Sequence, residues 1–339
     1  MTKIRKLYYF DKKNTKEMIS FLNNGETYIN RIMFNPLSPL HHLLPLRFKF
    51  IPESYILKDK KNMKGLITIA PTKNPLQQME IQDLLFEENS YEDAGELIQY
   101  VVSKYKAMGT ASIMVKIDDH LPELLKLFVQ KCGFSQISYE KLWKVEYCEK
   151  YCYSPDKNKS DNKKFREFRN SEAVLAANMY NEQLLPHFRP LLGKNVKEFK
   201  DLFFSGLSYF SEYKYVYFDK TSKNILAFLF IRTTDNKNFI LDIMQTSWEE
   251  INIDDIIAFC YTKIKKRTKD AILYIKSKKY THQGEIYESM FNEHKFNCIS
   301  NHIILTNSSA RIIKEEADIK RFTVLSQLYG GIGAVNKSC

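Results

Sequence analysis

The sequence predicts an α/β chain of two units with like architecture, each a mixed, mainly antiparallel sheet flanked by helices. Three observations carry this. The order helix, two or three strands, helix, strand, helix, strand runs through the chain twice. The stretch SPDKNKSDNKK at 154–164 has one proline, Pro155, and no large apolar residue, so it reads as an exposed linker between parts of similar length. With 339 residues, 44% of them apolar and including 23 Phe and 21 Tyr, the chain can bury more than one core. The expected layout is a first unit over 1–150, a linker over 151–164, a second unit over 165–310 and a flexible tail over 311–339.

In the first unit, NTKEMISFLNN reads as a helix with Asn14 or Thr15 as N-cap. A proline-punctuated apolar stretch containing His41 and His42 follows. ESYILKD and KGLITIAPT read as strands joined by a polar turn, and QQMEIQDLLFEE as a third strand. YEDAGELIQYVVSKYKAMG is an amphipathic helix closed by Gly109. ASIMVKID is a strand, LPELLKLFVQKCGF a helix stopped at Gly133, and YEKLWKVEY a strand.

The second unit opens with SEAVLAANMYNEQLLPHF, a helix with Ser171 as N-cap, and VKEFKDLFFSGL, a second helix. Strands EYKYVYFD, ILAFLFIRTT and NFILDIMQTS follow. The helix IDDIIAFCYTKIKKR, the strand DAILYIKSK, the helix GEIYESMFNEHKF and the strand CISNHIILTN complete it. MEIQDLLF and FILDIMQT superpose with a one-residue offset that brings Asp83 onto Asp242. Both read either as matching site positions or as outward polar residues of alternating strands, the second being favoured.

The net charge of +11 suits an anionic partner or a Lys-rich solvated surface, and its spread along the chain favours the surface. Six cysteines include one C-x3-C pair, Cys148 and Cys152, without the second pair that a structural zinc site needs. No metal is expected. The N-terminus has no apolar h-region, and the longest apolar run, at 225–231, is too short for a bilayer. A soluble, cytoplasmic protein without membrane contact is expected.

The element order, EIQDLLF after two strands, and LPELLKLFVQKCGF near the end of the first unit together resemble the GNAT N-acetyltransferase superfamily, here in tandem. EIQDLLF is similar to the family's fourth strand, E-I-x-x-L-x-V, and the helix end to L-Y-E-K-x-G-F. The resemblance covers 1–148 and 165–308. It is carried in the second unit by element order and by MFNEHKF.

The resemblance implies acetyl-CoA as cofactor and an amine, on a small molecule or a protein, as acceptor. It implies Glu80, the E of the strand motif, as general base. It places Leu84 and Phe86 of the same strand along the cofactor, and its pyrophosphate at Asp93, Ala94 and Gly95. The family's loop Q/R-x-x-G-x-G/A puts Ser90 on the Gln/Arg and Asp93 on the first glycine. A carboxylate about 4–5 Å from a phosphate costs on the order of a few kcal/mol. Asp93 is also a plausible N-cap.

The family's general-acid tyrosine falls on Val129 in the first unit and Phe291 in the second; neither donates a proton. Tyr139, Tyr280 and Tyr287 lie nearby but off the motif. Lys276 and Lys278, at the carboxyl end of a strand, read as phosphate contacts or as a solvated loop, the loop being favoured. Asp242 and His187 are candidates for the substrate cleft. The leading reading is an acyl-CoA-dependent N-acyltransferase. The alternatives are an inactive GNAT-fold scaffold and a Fem-type transferase using aminoacyl-tRNA.

Overall fold

The computed structural model describes residues 2–7, 53–59, 62–72, 78–87, 90–146, 165–200, 211–219, 224–233, 235–245 and 251–308. The helix expected over 14–24, His41, His42, the linker, the tail, Cys148 and Cys152 lie outside these residues.

The first half supplies β1 (Thr2–Lys6), β2 (Glu53–Asp59), β3 (Asn62–Pro71), β4 (Gln78–Phe86), α1 (Tyr91–Ala107), β5 (Ser112–Asp118), α2 (Pro122–Lys126) and β6 (Ser135–Lys144). α2 runs on into a π turn, Leu127–Lys131. The second half supplies β7 (Phe165–Glu167), α3 (Ala173–Gln183), α4 (Arg189–Leu192), β8 (Ser211–Phe218), β9 (Ile225–Thr233) and β10 (Asn238–Gln245). It ends with α5 (Ile253–Lys265), β11 (Ile272–Lys278), α6 (Gly284–Glu293) and β12 (Asn297–Ser308).

The strands form one twelve-stranded sheet in the order β1-β2-β3-β4-β5-β12-β6-β11-β10-β9-β8-β7. Among the described residues, β4–β5 and β10–β11 are parallel and the other pairs antiparallel. The last strand of each half pairs with the other half. β12 lies between β5 and β6, and β6 lies between β12 and β11.

Strand alternation sorts side chains onto two faces. On one face α1 and α2 cover Tyr55, Ile67, Ile81 and Val115 in one core. On the same face α5 and α6 cover Trp143, Leu229, Leu241 and Leu273 in another. On the opposite face α3 packs on Phe228, Phe230, Met244 and Ile304.

Local chemistry explains most boundaries. α1 ends at the Met108 C-cap, and Gly109 follows at φ 90°, a conformation that glycine adopts without Cβ strain. Gly133 takes φ 69° after α2. The second half puts Lys295, φ 57°, at the matching place after α6. α3 starts one residue later than Ser171 as N-cap predicts. Ser171 lies in a short 3-10 turn, and Glu172 accepts from the Arg169 backbone N–H at 2.9 Å while pairing with Arg166. Of the helix expected at 196–207 only residues 196–200 are described, and Val196–Glu198 form a 3-10 turn.

Candidate active site

Both parallel pairs open into a gap. β4 and β5 pair from Gln78↔Ser112 to Ile81↔Val115 and then part, though each strand continues. β10 and β11 pair from Asn238↔Ile272 to Leu241↔Ile275 and then part. The pairing of β4 with β3 shifts between Thr68↔Asp83 and Ile69↔Ile81, leaving Gln82 as a bulge. β10 runs along β9 without such a shift. The bulge supplies the one-residue offset between MEIQDLLF and FILDIMQT, so Asp83 and Asp242 do hold matching places beside the two gaps.

The gaps differ in what closes them. At the first, α1 begins after Ser90, whose side chain makes no capping bond. Its first ordinary helical bond runs from Ala94 N–H to Ser90 O, at 3.2 Å. The N–H groups of Tyr91, Glu92 and Asp93 precede it, with no cap from Ser90. Asp93 lies in the first turn rather than at the N-cap. At the second gap, Asn252 caps α5, accepting from Asp254 N–H at 3.0 Å and Asp255 N–H at 3.3 Å. Lys278 spans this gap to bond Asp242, and the Tyr287 hydroxyl donates to Gln245 at 2.6 Å.

A polar stripe crosses the α3 side of the sheet. It runs from Ser54 and Thr68, joined at 2.9 Å, past Asp83, Glu80 and Lys116 to Glu140, Lys276, Lys278, Asp242 and Arg232. Glu140 is its hub. Lys116 lies 3.0 Å away, Lys276 2.6 Å, and the Tyr280 hydroxyl donates at 3.0 Å. Burial pushes the Glu140 carboxyl up, but Lys116, Lys276 and Lys278 outweigh it and hold the group well below the usual carboxylate range.

Asp83 is the opposite case. It is 2% exposed, and its Oδ2 has no hydrogen-bond partner. Burial, then the Glu80 charge, raise its carboxyl well above the usual range. Lys194 approaches Asp242 and Lys278 from the α3 side. Asn181 clamps its backbone through two 2.8 Å bonds, and its Nζ stands 4.5 Å from the Tyr180 ring centre. Burial, then Arg232, lower its pKa to about 8.

The sequence candidates fall in several places. Glu80 is half-buried in the stripe on β4. Leu84 and Phe86 lie on the gap-side stretch of β4, with side chains in the α1 core. Ala94 is in that core as well, and a Cβ on Gly95 would lie 3.3 Å from Leu127 Cδ1, so Gly95 lets α1 pack closely on the π turn after α2. Lys276 and Lys278 belong to β11 and are ion-paired, not loop residues, because the strand runs three residues past its last pairing with β10. Asp242 is bound to Lys278. His187 is exposed, its ring 3.9 Å from that of Phe188.

The sequence favours Asp83 as an outward polar residue; instead it is buried, since the Gln82 bulge moves it from the α1 face onto the stripe and it is covered there as well. The stripe itself escaped sequence reading. Its members look like ordinary alternating polar residues until strands from both halves are laid side by side. At the end of β5, Asp118, Asp119 and His120 bring potential ligand atoms within 4.8 Å of one another at a turn. No helix among the described residues is long and apolar enough to cross a membrane.

No family model and no curated protein matches the chain. Solved structures do. A tandem GNAT protein from the clavulanic acid biosynthesis pathway aligns over 91% of this chain and 98% of its own, with TM-score 0.61 and 8% identity. A GCN5-related N-acetyltransferase from Sphaerobacter thermophilus covers 91% and 95%, with TM-score 0.59 and 8% identity. A Drosophila protein covers 90% and 98%, with TM-score 0.56 and 9% identity.

Proposed function

From the premise that this chain has the tandem GNAT fold, we propose that it is an acyl-CoA-dependent N-acyltransferase whose cofactor occupies the first half. The observation that carries this reading is the contrast between the two gaps. The first has a bulged strand and, among the described residues, neither an ion pair across the opening nor a side-chain cap from Ser90. The second is bridged by Asp242 and Lys278, and Asn252 takes up its helix N–H groups.

The residues of the first gap fit acetyl-CoA. Backbone N–H groups of Tyr91, Glu92 and Asp93 would receive the pyrophosphate, with Ala94 and Gly95 holding the turn close. Glu92 is exposed and Asp93 half-buried, so repulsion weakens the cradle without filling it. Beyond Ile81 the β4 edge facing β5 has no strand pairing, which leaves the backbone at Leu84 and Phe86 beside the acyl chain. When bound, the cofactor supplies an activated thioester.

Glu80 stands on the stripe side and takes the proton from the acceptor amine, directly or through water. The amine, on a small molecule or a protein, enters along the polar stripe. The second half, with Asp242, Lys276, Lys278 and His187, supplies the far wall of that cleft.

Isothermal titration with acetyl-CoA tests the reading. Micromolar binding is expected. The double variant Glu92→Lys/Asp93→Lys should tighten it several-fold, while Asp254→Lys/Asp255→Lys at the capped helix should change it little. No binding up to millimolar acetyl-CoA sinks the proposal.

A further inference from the structure

An N-acyltransferase must protonate the departing thiolate, and this chain has no hydroxyl at the two positions where the helix after the gap would offer one, Val129 and Phe291. The three tyrosines near those two positions in the sequence are committed or distant. Tyr280 donates to Glu140, and Tyr287 donates to Gln245 at the second gap. Tyr139 is on β6, separated from β5 by β12.

Asp83 stands beside the first gap, where the cofactor is proposed to lie. It follows the Gln82 bulge, two residues past the last β4–β5 pair, so it sits at the mouth of the first gap. It is 2% exposed, and its Oδ2 bonds to nothing. Its cross-strand neighbour Thr68 is occupied by Ser54 at 2.9 Å. A buried carboxyl with an orphaned oxygen is costly as an anion and tolerable as an acid.

Resting on the acyltransferase reading, we propose that Asp83 is the general acid that protonates the leaving thiolate, in place of the missing tyrosine. Glu80 and Asp83 then divide the work, because their surroundings differ. Glu80 is half-buried and feels the Lys116 charge, whereas Asp83 is 2% exposed, and burial, then the Glu80 charge, favour its protonated form.

The step balances. The amine nitrogen bonds to the thioester carbon, and Glu80 accepts a proton from that nitrogen. The C–S bond of the tetrahedral intermediate breaks with its electron pair going to sulfur. The Asp83 proton goes to that sulfur, releasing a thiol. The proton on Glu80 returns to Asp83, directly or through water, and restores both groups.

Infrared spectroscopy on the whole chain tests this without an acceptor. At pH 7 the wild type should show a protonated-carboxyl C=O stretch that Asp83→Asn lacks. Labelling with 13C-aspartate identifies the same band if the variant does not fold. Saturating CoA should shift the band, and desulfo-CoA, which lacks the sulfur, should not. No protonated band, or a band unmoved by bound CoA, overturns the role of Asp83 and leaves the acyltransferase reading standing. A band present with no CoA binding by calorimetry overturns both.

Discussion

Glu140 carries a lysine from each half on one carboxylate, and that arrangement sets its worth. Lys116 and Lys276 stand at like positions, each one residue past the last parallel pair of its strand. Removing the carboxylate leaves two lysines in a buried site without their shared partner. Glu140→Gln should therefore destabilise the protein by about 3–5 kcal/mol in urea unfolding. The triple variant Lys116→Met/Glu140→Leu/Lys276→Met should recover much of that loss, because an apolar trio has no charge to desolvate. The folded carboxyl lies below its ordinary value of 4.5, so its contribution is present above that value. It is lost as pH falls through the folded value, and the gap between wild type and Glu140→Gln should close in acid. A loss under 1 kcal/mol at neutral pH would show that the hub does not hold the seam.

At the scale of elements, the two gap helices are built from similar sequence patterns but end differently. α1 and α5 both carry two acids in the first turn, which suits the helix dipole. Only α5 has a capping side chain that accepts from its own N–H groups. Asn252→Ala should cost about 1 kcal/mol in thermal or urea unfolding. Ser90→Ala before α1 should cost a few tenths at most, since its hydroxyl makes no cap. Equal losses would mean that α1 is capped as well, and that its N–H groups are not available to a phosphate.

Most elements were legible from local pattern. β4 and β10 show strand-length apolar runs interrupted by polar residues, and α1, α5 and α6 show a single apolar stripe between start and stop residues. β1 and β7 were not legible. TKIRK and FRE are short and charged, and they become strands only because β2 and β8 offer them an edge. The site was half legible. The strand motif pointed to Glu80, but the bulge that sets Asp83 on the stripe face has no local sequence signature.

The whole molecule is tied by an exchange of terminal strands. β12 fills the place between β5 and β6, and β6 fills the place between β12 and β11. Fragments 1–150 and 151–339 should each be poorly folded alone, since each would expose unpaired strand edges in mid-sheet. Co-expressed, they should assemble into a soluble complex with the circular dichroism of the intact chain. Two fragments that each fold cooperatively alone would show that the exchange is dispensable.

The sequence by itself determined the mixed sheet, the repeated element order and the strands beside the two gaps. Those follow from the period of apolar residues and from start and stop residues, which act within one element. Tertiary structure alone decided the pairing of β12 with β5, the burial of Asp83 and the meeting of Lys116, Glu140 and Lys276. Backbone hydrogen bonds between strands carry no residue code. A side chain's charge state depends on neighbours that arrive from the other half of the chain.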